Sequence, residues 1–313
     1  MLRKFAYNKI FRTTGMLLLL LLLLVFPASK KYELDDQIVK ASVNLKNREI
    51  YLLDKYGYVA RTLIPCSKTG TKLAEKLIEM SIIDGKYQDD IPMGFRAFLP
   101  VDLKINDIKI KDDNIYIDFS KEFFDIKKND LIKTIELITY NLTSIEGINN
   151  VYILVDSKEV EEFNGVYLSQ PFSRKDGINK NYDYTSYKGV NSITVYYVNN
   201  SLNKPYYVPV TKLTNDKREK VEIIIEELTN SNVFTPELMS YLNYNTRLIN
   251  YKVDDNIINL NFNDNIFDSV KNNILSDVVN TISLSIRDNY DVNEVSFLVN
   301  DEKITKSVLK DIE

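Results

Sequence analysis

The stretch FLPVDLKINDIKIKDDNIYIDFSKEFFD, residues 98–125, recurs later in the chain as YLNYNTRLINYKVDDNIINLNFNDNIFD, residues 241–268. The two stretches align without a gap, and apolar residues fall on apolar residues along their length. In each copy, apolar and polar residues alternate on both sides of a turn rich in Asp and Asn, which is typical of a β-hairpin with one buried face. The chain is therefore predicted to contain the same structural unit twice.

The repeat extends to both sides of this hairpin. Upstream, residues 50–64 resemble residues 195–213, and each predicts a further hairpin followed by a helix, at about 71–83 and 216–229. Downstream, apolar spacings of 4, 3 and 4 predict a helix with one buried face in each copy. Its apolar residues are Leu131, Ile135, Ile138 and Leu142 in the first copy and Leu275, Val279, Ile282 and Ile286 in the second. A strand then closes each unit, VYILVD in one and VSFLVN in the other.

These patterns predict an α/β fold of two tandem homologous domains. Each domain is expected to be a two-layer sandwich, a mixed sheet with two helices, and about 110 residues can sustain a core of their own. The predicted organisation is a signal or anchor segment at 1–30, a spacer at 31–48, a first domain at 49–162, a linker at 163–190, a second domain at 191–306 and a tail at 307–313.

Composition excludes several functional classes. The 313 residues contain no His and one Cys, Cys66, which excludes histidine catalysis, histidine metal sites, thiolate zinc clusters and an internal disulfide. Lys and Arg number 40 against 44 Asp and Glu, so the basic excess typical of nucleic-acid binding is missing. Carboxylate pairs such as Asp112 and Asp113 fall in predicted turns, where Asp bonds its own backbone. We expect no catalytic residue, no metal and no cofactor.

The N-terminus carries a targeting segment. Basic residues precede an apolar block from Met16 to Phe26, typical of an exported chain whose remainder, 31–313, lies outside the cytoplasm. An uncleaved membrane anchor is favoured, because cleavage after Ala28 would place the bulky Phe26 where small residues are preferred. A cleaved signal peptide, and hence secretion, is the alternative. The predicted anchor residues are Met16, Leu17, Leu20, Leu24 and Phe26.

Four tyrosines cluster in the hairpin that opens the second unit. Tyrosine is enriched at protein interfaces because it combines apolar area with a polar tip. Neighbours on a strand point to opposite faces, so about half of the four are expected in the core and the others at an interface with a partner. The candidate interface residues are Tyr196, Tyr197, Tyr206 and Tyr207.

The chain resembles the GerM domain family. In the first unit the resemblance rests on IYLLDKYGYVARTL, LPVDLKINDIKIKDDNIYIDFSKEF and VYILVD, and in the second on VYYVNN, YYVPVT and INLNFNDNIF. It covers about residues 49–160 and 192–305. The resemblance implies a ring-building-motif-like fold and a non-enzymatic envelope protein of the sporulation and germination type.

The resemblance also implies partners and a location. The partners would be other envelope or sporulation channel proteins between mother cell and forespore, and a homo-oligomer is a further option. The chain would be held in the membrane by its N-terminal segment, since it lacks the lipobox cysteine of a lipoprotein. Aromatic and Asn-rich loops leave one alternative function, an envelope module that binds cell-wall glycan or a small molecule.

Overall fold

Both repeats begin with a hairpin and contain two helices, in a computed structural model that describes residues 46–201, 204–230, 238–268 and 273–309. The first repeat consists of β1 (Asn47–Asp54), β2 (Val59–Pro65), α1 (Gly70–Glu79), β3 (Phe95–Arg96), β4 (Ile105–Lys111), β5 (Asn114–Phe119), α2 (Leu131–Leu142), β6 (Asn150–Val155) and β7 (Lys158–Glu159). The segment between the repeats contains β8 (Glu162–Phe163), β9 (Val166–Tyr167) and β10 (Asn181–Asp183). The second repeat consists of β11 (Asn191–Ser201), β12 (Lys204–Thr214), α3 (Lys220–Asn230), β13 (Leu248–Asp254), β14 (Ile257–Phe262), α4 (Ser276–Asn289), β15 (Glu294–Val299) and β16 (Glu302–Val308). The predicted α/β class is confirmed, and the last strand of each repeat was not predicted.

Each repeat has a mixed four-stranded sheet of its own, in the order β4-β5-β6-β7 or β13-β14-β15-β16. The first two strands form the hairpin seen in the sequence, and the third lies parallel to the second because a helix connects them. Both hairpins are irregular at the same place, between Ile105 and Asp107 in one and between Leu248 and Asn250 in the other. Equal strand order and an equally placed bulge confirm the internal repeat.

The upstream hairpins of the two repeats join in one six-stranded sheet, in the order β10-β12-β2-β1-β3 with β11 on β12. We call it the shared sheet. Its two halves meet where Tyr207 of β12 pairs with Arg61 of β2 in an antiparallel bridge. The repeat pattern predicts a single separate sheet for each repeat, and it does not predict this junction. Pairing the two hairpins covers edges that would otherwise expose unpaired backbone groups.

The helices α2 and α4 each contact two sheets. Helix α2 lies against β1 and β2 of the shared sheet and against β6 of its own sheet, and α4 lies against β11, β12 and β16. The apolar stripe predicted on α2 is buried, but so are Tyr140 and Asn141 on its other side. On α4, Ile282 and Ile286 are buried as predicted, whereas Leu275 lies immediately before the helix. Contact with a second sheet explains why these helices bury polar residues as well.

The segment 163–190, predicted as a linker, is part of the folded structure. Phe163, Phe172 and Ile178 are buried in the core of the first repeat. The Gln170 side chain accepts a hydrogen bond from the Ile153 amide at 2.6 Å and donates one to the Ile153 carbonyl at 3.0 Å. The Gln170 side chain thus pairs with backbone groups of β6 as a neighbouring strand would. Residues from Lys46 onward group into one compact unit.

The predicted anchor residues, Met16, Leu17, Leu20, Leu24 and Phe26, lie outside the described residues. Among the helices of the described ranges, none has both the length and the apolarity that a membrane span requires.

Candidate functional site

Charged and tyrosine side chains from both repeats meet beside the shared sheet. They come from β1 and β2, from the segment between the repeats, from β11 and from the C-terminal turn of α4. We call this set the junction cluster, and its members are Glu49, Tyr51, Arg61, Arg174, Tyr196, Arg287 and Asp288.

Two carboxylates and three guanidinium groups form the ionic part of the junction cluster. Glu49 Oε1 lies 2.7 Å from both Arg61 Nη2 and Arg287 Nη1, so it connects the first repeat to the second. Arg174 Nη1 donates to both carboxylate oxygens of Asp288, at 2.9 and 3.0 Å. The side chain of Asp288 is only 1% exposed. The charged groups face one another, an arrangement that fixes elements in place.

Two equivalent residues of the repeats touch at the centre of the cluster. Tyr51 and Tyr196 align with each other in the internal repeat, and their hydroxyl oxygens lie 3.1 Å apart. The Tyr196 hydroxyl also donates to Asp288 Oδ2 at 2.7 Å. The Arg174 guanidinium lies 5.4 Å from the Tyr51 ring centroid and 4.7 Å from that of Tyr140, within range of a cation–π contact. The repeats thus meet through matched positions.

The backbones beside these tyrosines are held in the same way in both repeats. The Tyr51 amide donates to Asn141 Oδ1 of α2, and the Tyr196 amide donates to Ser285 Oγ of α4, each at 2.9 Å. Asn141 and Ser285 are themselves equivalent residues of the repeat. A buried polar side chain on each helix therefore fixes one strand of the shared sheet, β1 in the first repeat and β11 in the second.

The acidic and basic side chains of the junction cluster stay ionised at neutral pH. Burial by itself raises the pKa of Glu49, but Arg287 and Arg61 outweigh it and hold that pKa well below its usual range. Burial by itself lowers the pKa of Arg174, but the neighbouring Asp288 outweighs it and raises that pKa above the ordinary value. In the same way, Glu49 outweighs burial at Arg287 and raises its pKa. Burial also raises the pKa of Tyr196, which keeps this hydroxyl protonated as a donor.

Glu49 gives the fold a predicted sensitivity to acid. Its folded-state pKa lies below the ordinary 4.5, so its ion pairs stabilise the fold fully above about pH 4.5 and are lost as the pH falls toward the folded-state pKa. In Glu49→Gln we expect a lower free energy of unfolding at pH 7 and a weaker decline below pH 4.5 than in the wild type. Urea unfolding of both proteins across this range measures the difference. Parallel acid limbs would contradict the role assigned to Glu49.

The four tyrosines proposed from the sequence as interface residues are all buried, at 0 to 8% exposure. The Tyr206 hydroxyl donates to Asp54 of the first repeat at 3.0 Å, and the Tyr207 hydroxyl donates to Asp277 at 2.8 Å. Tyr197 and Tyr196 donate likewise to internal carboxylates. About half of the four were expected in the core and the others at an interface with a partner, but all four are buried because the shared sheet and helices cover both faces of this hairpin. The interface they form in the structure lies within the chain.

Sequence reasoning missed the charged members of the junction cluster. Glu49, Arg61 and Arg287 stand in strands or helices whose polar positions are ordinarily solvated, and Arg174 stands in the predicted linker. Their partners are far away in sequence, so no local spacing connects them. The one available signal was the alignment of Tyr51 with Tyr196 in the repeat.

Comparison with known proteins agrees with this description. The family model Germane, described as sporulation and spore germination, matches residues 49–161 and 194–305. The spore germination protein GerM of Bacillus subtilis (strain 168) is 34% identical over 262 residues, which cover 81% of this chain and 71% of that protein. The solved structure of the tandem GerMN domains of sporulation protein GerM from Bacillus subtilis is 32% identical and superposes with a TM-score of 0.74, covering 82% of this chain and 92% of that one.

The two ranges matched by the family model fall on the two copies of the internal repeat. The solved relative contains the same domain in tandem and covers most of the chain. The chain therefore belongs to the Germane family of sporulation and spore germination proteins and carries two copies of its domain.

Proposed function

We propose that the protein is a non-enzymatic, membrane-anchored protein with both domains outside the cytoplasm, and that it mediates protein–protein assembly of an envelope complex of sporulation, the channel between mother cell and forespore. Family membership supports the biological process. The observation that carries the molecular role is the junction between the repeats. The shared sheet and the largely buried ion pairs Glu49–Arg287 and Arg174–Asp288 join the two domains into one body.

A rigid pair of domains suits an assembly role for a physical reason. Partners that bind surfaces on both domains lose less conformational entropy when those surfaces are already fixed relative to each other. A flexible linker would lose that advantage, and here the segment between the repeats instead buries Phe163, Phe172 and Ile178 in the core of the first repeat and supplies Arg174.

The outer strands of the sheets are a second argument for binding protein partners. The strands β4, β13 and β16 are outer strands of their sheets and offer backbone groups to an added strand. Each carries at least one exposed lysine, and the β4 and β13 hairpins are also bulged. Lysines and bulges limit indiscriminate edge pairing. Such edges favour matched partners over aggregation.

Site-specific photo-cross-linking of the full chain in sporulating cells tests the proposal. The photoreactive residue replaces Ile110, Val253 or Val308, which are exposed on the three edge strands at 37, 48 and 51%. We expect cross-links to an identified sporulation envelope protein or to a second copy, and none in vegetative cells. A stable, exported chain without a cross-link at any of these positions or at exposed helix positions would contradict the proposal.

One observation favours the alternative of glycan binding. Tyr182 and Tyr187 are 65 and 89% exposed and are joined through Tyr184, with ring centroids 6.1 and 5.5 Å apart. Asn215 fixes this loop by accepting hydrogen bonds from backbone amides, including that of Thr185 at 3.0 Å. Retention of the full chain on purified peptidoglycan, abolished by Tyr182→Ser with Tyr187→Ser, would favour the alternative. Absence of retention leaves the assembly role as the better account.

A further inference from the structure

An open cleft of about 410 Å³ lies beside β7 in the first repeat, and we call it the β7 cleft. Its apolar part is formed by Phe124, Val155 and Val160. Phe124 is 49% exposed, and its ring stacks on the buried Phe163 at a centroid distance of 5.8 Å. A large aromatic side chain is therefore held in place with one side open to a ligand.

The rim of the β7 cleft is acidic. Its charged residues are Asp156, Lys158, Glu159, Glu161 and Glu162, all of them exposed. None of the four carboxylates takes part in an ion pair with any residue that the structure describes. An apolar surface with an unpaired negative rim fits a segment in which apolar and basic side chains alternate.

The second repeat carries such a segment at the equivalent position. The internal alignment places the KEVEE sequence that begins at Lys158 on the EKITK sequence that begins at Glu302, in β16. The charge is reversed at three of the five positions, and an apolar residue, Val160 or Ile304, stands at the centre of both. Whereas β7 has two residues, β16 has seven and is an outer strand of its sheet.

Strand β16 presents two lysines on either side of an apolar residue. Lys303 and Lys306 both pair with one carboxylate, Glu294, at 3.5 and 2.7 Å, and the exposed Glu302 begins the strand. Both lysine side chains remain more than half exposed, and Ile304 between them is 40% exposed.

We propose that β16 of one molecule docks into the β7 cleft of a second copy of the chain. Ile304 contacts the open side of Phe124, and the two lysines face the glutamates of the rim. Because the contact joins different surfaces of the two molecules, it is heterologous and builds rings or open chains. The inference rests on the proposed assembly function and names the surfaces and the partner for self-association.

Disulfide cross-linking between two differently tagged full chains in membranes tests the contact. One chain carries Phe124→Cys and the other Ile304→Cys, and the native Cys66 does not interfere because it is buried at 3% exposure. Under mild oxidation we expect a disulfide-linked heterodimer. The matched control replaces Ile249, an isoleucine on the outer strand β13 that is 51% exposed, and should give no heterodimer with Phe124→Cys. Equal yields from Ile249→Cys and Ile304→Cys would overturn the inference.

Charge reversal adds a second readout. Glu159→Lys with Glu162→Lys in the cleft chain, or Lys303→Glu with Lys306→Glu in the strand chain, should each lower the heterodimer yield about tenfold or more. Both reversals together should restore it. Glutamate at positions 303 and 306 would be repelled by Glu294, and Lys303→Gln with Lys306→Gln avoids this repulsion. The glutamine variant should lower the heterodimer yield both with the wild-type cleft and with the cleft that carries Glu159→Lys and Glu162→Lys.

The possible failures of the two proposals can be distinguished. Yields unchanged by reversal, or self-association that cross-links only elsewhere, would overturn the β7 cleft while leaving an assembly function in place. Loss of every cross-link, including those from the photoreactive positions, would contradict both the contact at the β7 cleft and the assembly function.

Discussion

Replacing Asp288 by asparagine should lower the free energy of unfolding by about 3–5 kcal/mol. The side chain is almost fully buried, and it accepts two hydrogen bonds from Arg174 and one from Tyr196. Asparagine keeps the shape but removes the charge, leaving Glu49 as the only carboxylate facing three buried arginines of the cluster. Breaking a buried pair in this way leaves an uncompensated charge, which is far more costly than losing a surface pair.

The matched control is Asp107→Asn, which removes an exposed ion pair with Lys109 at 2.7 Å. Exposed pairs of this kind contribute roughly 0–1 kcal/mol, so the control should unfold nearly as the wild type does. Chemical denaturation of both full-length variants measures the difference. Similar losses in the two variants would contradict a structural role for the junction cluster.

Replacing Ala60 by aspartate should be of comparable severity, about 3–5 kcal/mol or more, because it buries an unpaired carboxylate. Ala60 belongs to β2 of the first repeat, but its side chain is fully buried in the core of the second. The damage should therefore reach the second repeat as well as the first, as faster proteolytic cleavage between residues 191 and 306.

Leu63→Asp is the control for this substitution, since Leu63 stands on the same strand and is 45% exposed. We expect it to change the proteolysis pattern little. Damage from Ala60→Asp that is confined to the first repeat would show that β2 contributes nothing to the second core.

Most of the fold of each repeat could be predicted from the sequence, because local patterns determine it. Alternating apolar residues, such as Ile115 and Ile117, face the core as period two requires, and the apolar stripe of α2 is buried. The duplication made the prediction more secure, since the patterns of both copies predict the same helices and strands. The bounds of the helices after the first hairpins were less accurate, with α3 beginning at Lys220.

The junction could not be predicted, because it depends on contacts across long sequence distances. Glu49 and Arg287 are 238 residues apart, and Tyr206 and Asp54 are 152 apart. The tyrosines of β11 and β12 looked like partner-binding residues since nothing local indicates that a second hairpin covers them. A segment rich in polar residues, 163–190, looked like a linker although Phe163, Phe172 and Ile178 are buried in the core of the first repeat.

The claim on which this account depends is that the two repeats form one cooperative body. Hydrogen exchange of the full chain at increasing denaturant concentration measures it directly, by comparing amides of β5 and β6 with those of β14 and β15. We predict that the most protected amides of both pairs exchange with the same opening free energy and the same denaturant dependence. Exchange of one repeat at low denaturant, while the other stays protected, would contradict the account.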